Sequence, residues 1–115
     1  MIANSTNSSG DSKLKHNQQV ARTPDAAAIL EAVDVKTYSR NDLDGQMRVG
    51  FVAQDMQSAC DGGWAHIVSS AADVDDEGVE TDTSTLQIDY ARLTIVVWSV
   101  CKDLTARVAA LEAQR

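Results

Sequence analysis

Aromatic residues are scarce in this chain: Trp64, Trp98, Tyr38, Tyr90 and Phe51 amount to 4% of 115 residues, while apolar residues reach 43%. The core must therefore come mostly from Ala, Val, Leu and Ile. A chain of this length forms one domain rather than two, and so thin a core is a first reason to expect an oligomer. Positive charge is also short, with 10 Lys and Arg against 17 Asp and Glu and a net charge of −7. No basic cluster is present that could track a phosphate backbone, so nucleic acid is not expected as a direct partner. The only cysteines, Cys60 and Cys101, match no metal-ligand spacing. They read as reduced, partly buried thiols of a cytoplasmic product. Long apolar runs are missing too. The longest, Ala26 to Leu30, cannot span a bilayer. The opening MIANSTNSSG lacks the charged end and apolar stretch of a secretory signal. A soluble, non-secreted protein without a membrane partner is expected.

Residues 1–12 are rich in Asn, Ser, Thr and Gly and read as a leader, ahead of a domain over 13–115. The two Asn-x-Ser/Thr sequons there, at Asn4 and Asn7, read as chance matches in a polar tract. Thr23 as N-cap, Pro24 at the first helical position and Asp25 in the first turn predict a helix over 24–33, with Ile29, Leu30 and Val33 on its apolar face. Alternation predicts strands near 34–40 and 46–52, joined at Asp44-Gly45, the best hairpin-turn signal in the chain. AQDMQSAC reads as a short helix with Val52, Met56 and Ala59 on one side, closed by Gly62 and Gly63. Further strands are expected near 65–69 and 85–90. The acidic stretch AADVDDEGVETDTST between them reads as a loop. From residue 91 to 113 the period changes to that of a long helix. The fold class expected is α+β: a small antiparallel sheet, short helices and one long terminal helix.

In that last helix Val97, Cys101, Leu104, Val108 and Leu111 are spaced 4, 3, 4, 3, a heptad seam, with Lys102, Asp103, Arg107 and Glu112 off it. Such a stripe serves either to pack a helix on its own domain or to join copies. Two features favour the second use. The helix is terminal, and Val96, Val97, Trp98 and Val100 give its first half more apolar surface than one small domain covers.

Other motifs carry little chemistry. DVDDEGVE alternates acids, but a calcium loop needs a bidentate acid at its twelfth position, where Ser84 stands. His16 and His66 have no partner at catalytic or metal spacing. No cofactor is implied. In GDSKLK, a lysine could act as a base only if desolvated or placed beside positive charge. By its own chemistry this stretch is a polar tract.

Four blocks nevertheless resemble one family. GDSKLKHN resembles the S-D-x-R-x-K-x-N opening of the intramolecular chaperone domain at the C-terminus of phage tailspikes and tail fibres, the peptidase S74 type. AAAILEAVDVKTYSR resembles its helix-then-strand segment, MRVGFVAQDMQSAC its G-F-I-A-Q-E/D block, and LQIDYARLTIVVWSVCKDLTARVAALE its G-x-D-Y-x-x-L block with a terminal helix. Order and spacing agree over roughly residues 10–112. The resemblance implies a homotrimer, built as a helical bundle or coiled coil. It holds three chains of a β-rich fibre in register in the host cytoplasm, the parent protein later forming part of the virion tail. It also implies a single-turnover Ser-Lys self-cleavage that releases the domain. Carried over, Lys15 is the base, Asp11 the motif acid, and Gly10 stands where the nucleophilic serine belongs. Glycine has no hydroxyl, so the chain is expected to be cleavage-deficient, its first nine residues lying upstream of the cut as in an uncleaved precursor. Ser9 flanks the gap, but a one-residue shift turns a side chain to the other face of an extended segment. A permanent trimeric adaptor or tip is the alternative. A trimeriser of a cellular, non-viral protein would keep the fold and change the partner. The implied partners are the chain itself and the upstream β-structured fibre.

Overall fold

The computed structural model describes residues 10–115, so the leader up to residue 9, including Ser9 and both sequons, lies outside the described residues. Helix α1 spans Thr23–Ala32. Pro24 suits its first turn, where a backbone N–H has no helical partner, and Asp25 faces the positive end of the helix dipole. The N-cap is Arg22 without a side-chain cap, so Thr23 sits just inside the helix instead of capping it. The buried face is Ala26, Ile29 and, at the C-cap, Val33. Leu30, expected on that face, is turned about 100° from Ile29 and is half exposed.

Strand β1 (Lys36–Ser39) pairs antiparallel with β2 (Met47–Gly50), Thr37 opposite Val49 and Tyr38 opposite Arg48. Gly45, at φ +75°, takes the left-handed turn that its Asp-Gly signal promises. Asp44 Oδ1 accepts from the Gln46 N–H and from Arg48. The connection is nevertheless a longer loop over 40–46 rather than a two-residue turn, and Arg40 closes it with a two-pronged contact to Asp42. Tyr38 and Arg48 turn inward, leaving Met47 and Val49 exposed. Helix α2 (Ala53–Ala59) follows and buries Met56. Lys36 Nζ donates to Asp55 Oδ2 at 2.9 Å, pinning β1 to α2.

The predicted strand near 65–69 begins instead as a 3-10 run, Gly62–Ile67, with Gly62 at φ +55°. That run drives Ile67 into the core before β3 (Val68–Val74) starts. The acidic segment expected as a loop is a hairpin. Strand β3 pairs antiparallel with β4 (Glu80–Ile88), Val68 opposite Ile88 and Ala72 opposite Ser84, with a bulge between Ala72 and Val74. Its turn is built by Asp75, whose Oδ1 accepts from the N–H groups of Glu77 and Val79, and by Gly78 at φ +82°. Three β-branched threonines then favour the extended chain, and two of them, Thr83 and Thr85, donate to the Asp73 carboxylate at the bulge. The hydroxyls hold the Asp73 carboxyl below the usual carboxylate range, Thr85 contributing most. Ser69–Ala72 and Glu80–Thr85 are exposed throughout, so the hairpin is an arm. The single sheet expected from the sequence is thus two separate two-stranded sheets.

Helix α3 (Leu93–Ala113) packs on α1. The core is Ala26, Ile29, Val33, Met56, Cys60, Ile67 and Val96, edged by Phe51, Trp64, Val68, Ile88, Leu93 and Val100. Phe51 stacks on Tyr90 with centroids 6.0 Å apart. Among the described residues no helix is long and apolar enough to cross a membrane.

Because Met56 is 2% exposed at the centre of so small a core, Met56→Ala should cost about 2–5 kcal/mol, read from denaturant unfolding. The Asp73 contacts stabilise the arm only while the carboxylate is charged. That contribution is present above the ordinary carboxylate pKa and is lost as pH falls through the lowered value. NMR titration should place Asp73 below the usual range, and Thr85→Val should raise it.

Candidate functional site

The segment resembling a cleavage motif folds into one tight turn. Asp11 is the N-cap of a 3-10 turn over Ser12–Leu14, and its Oδ1 accepts from the Lys13 N–H at 3.0 Å. Lys13 Nζ lies 3.9 Å from Asp11 Oδ2. The Lys15 N–H donates to the Ser12 carbonyl at 3.0 Å, which closes the turn and leaves Lys15 extended at φ −128°. Two residues on, Asn17 takes φ +53°, the one described residue other than glycine with positive φ. Asparagine tolerates that conformation better than most residues. Its place in the quoted motif was the signal, and sequence reasoning assigned it no role. Gln18 Nε2 donates to Ser12 Oγ at 2.9 Å and folds the chain back over the turn.

The turn is exposed, Gly10, Asp11 and Lys15 included. A Cβ at Gly10 would meet no atom within 4 Å, so a serine fits there without displacement. Lysine chemistry as a base needs desolvation or a neighbouring cation. Lys15 is exposed, and among the described residues no side-chain hydrogen bond or ion pair holds its ammonium. A partner surface would have to supply that environment.

Helix α3 is the second candidate. Val96 is its sole buried residue. The predicted seam lies open: Val97 is 54% exposed, Leu104 51%, Val108 51% and Leu111 62%, with Cys101 exposed between them. An apolar groove of about 1030 Å³, which shares Val97 and Cys101 with the seam, follows the helix. Stacked Phe51 and Tyr90 wall one end, Trp98 stands along it, and Ala106 and Ala109 floor the other. Lys102 is the one charged residue lining it. The seam was legible as a heptad; the groove was not, because Phe51 and Tyr90 reach α3 only through tertiary packing. Cys60, by contrast, is buried, and burial pushes its thiol pKa up, with Asp61 adding to the shift. Among the described residues no cluster of His, Cys, Asp and Glu could hold a metal ion.

Residues 10–63, a little under half of the chain, match the family model for peptidase S74, described as chaperone of endosialidase. Over those residues the chain is similar to the chaperone-of-endosialidase family. The match begins at Gly10 itself and takes in the 3-10 turn, α1, the β1–β2 hairpin and α2. It stops short of the β3–β4 arm and of α3. The matched residues include Gly10, Asp11 and Lys15. No curated protein matches the chain significantly.

Proposed function

We propose that the chain is a C-terminal trimerising intramolecular chaperone of a phage tail fibre or tailspike. It gathers three copies in the host cytoplasm and sets their register while the β-rich parent folds into the virion tail. The observation that carries this reading is the exposed stripe of α3, four large aliphatic side chains each more than half open to water. At about 1.5–3 kcal/mol for each fully buried aliphatic side chain, covering the stripe with sister helices contributes several kcal/mol per copy. The parent's non-local β contacts form slowly and expose aggregating edges. Chains already joined at one end make those contacts at high effective concentration. Releasing the trimeriser afterwards would leave the assembled fibre kinetically trapped.

In this chain the release step lacks its nucleophile. Lys15 remains as base and Asp11 as motif acid, but Gly10 offers no hydroxyl to attack the preceding carbonyl. The same glycine favours a second reading, a permanent trimeric adaptor or tip that stays attached. Gly10→Ser separates the two. Mass spectrometry should show the first nine residues lost by a cut after Ser9, and Gly10→Ser with Lys15→Ala should stay whole. An intact Gly10→Ser chain supports the adaptor. The seam has its own test. Mild oxidation should couple chains through Cys101 and leave buried Cys60 untouched. Since one disulfide uses two of three axial thiols, at most about two thirds of the chains should be linked. Chains that remain wholly unlinked would contradict the seam.

A further inference from the structure

Resting on the self-association proposed above, we infer that the groove along α3 is filled by α1 of a second copy. The two flanks of α3 are unequal. Leu93, Val96 and Val100 face the core that α1 shares, so that flank is covered by the chain's own α1. Trp98 and Thr105 lie on the far flank, and there the groove is open. The exposed seam runs between the two. When copies close into a ring around that seam, the covered flank of one lies beside the open flank of the next. What the covered flank presents outward is α1.

The outer side of α1 fits the groove in shape and charge. Beside its buried Ala26, Ile29 and Val33, and turned about 100° from Ile29, it carries Leu30, a large apolar residue half exposed, with half-buried Ala27 one turn before it. A volume of about 1030 Å³ is far more than one side chain fills, and Ala106 and Ala109 let a helix approach closely. Lys102 is the groove's single charge, whereas α1 bears Asp25 and Glu31 and no lysine or arginine. Glu31 follows Leu30 on the exposed side and is the residue that would reach Lys102.

The test uses the full chain with Cys101→Ser, Leu30→Cys and Ala106→Cys, oxidised mildly and weighed by light scattering before and after denaturation. The inference expects covalent species of two and three chains, and none when either new cysteine is absent. An assembled sample that stays unlinked, or links only within a chain, overturns the inference and leaves self-association standing. A folded monomer overturns both. A second pair of variants does not depend on the cysteines. Lys102→Glu should weaken association by roughly tenfold, and adding Glu31→Lys should restore it; Lys102→Glu with unchanged association contradicts the pairing.

Discussion

A helix with more apolar girth than its own domain can cover is the constraint on which the rest of this molecule depends. Helix α3 spends Leu93, Val96 and Val100 on the core and still has a heptad stripe and a tryptophan-lined groove facing water. Burial of apolar surface is the main favourable term in folding and association alike. Covering an open stripe of this kind with another surface would be favourable. The charged residues of α3 do not oppose that closure. Asp103 and Arg107 pair with each other along the helix at 3.0 Å, off the seam.

The remainder of the chain is sparing in its own packing. Among the described residues seven buried ones make the core, none of them aromatic. Both hairpins are two-stranded ribbons, marginal by themselves. Each is steadied locally: the first by the Lys36–Asp55 contact and the close approach of Gly50 to Tyr38 and Tyr90, the second by the Asp75 turn and the Asp73–threonine contacts. Such a design leaves much apolar surface exposed.

Much of this was legible in the sequence. Pro24 and Asp25 marked the start of α1, Asp44-Gly45 marked the first hairpin, and the change of period near residue 91 marked α3 to within a few residues. The errors have physical causes. The acidic stretch has the low hydrophobicity of a loop, yet it pairs as strands. Asp75, Gly78 and the alternate threonines form a hairpin whose faces are both solvated, so no buried face betrays it. Leu30 was misplaced because α1 is nearly all apolar, and only packing against α3 decides which side faces in. The groove needed Phe51 and Tyr90 brought to a helix far along the chain. At the candidate site the residue types were legible and the surroundings were not. Roles for Asp11 and Lys15 are implied only by the resemblance, while the Asp11 cap and the reversal at Asn17 emerge from backbone geometry.

In the function proposed above, association through the stripe on α3 comes first, and any chemistry at Lys15 waits on a neighbouring surface. Sedimentation equilibrium across a dilution series bears on it most directly. The account predicts a folded species at three times 12.4 kDa that persists into dilute solution. A well-folded species at 12.4 kDa throughout would contradict it.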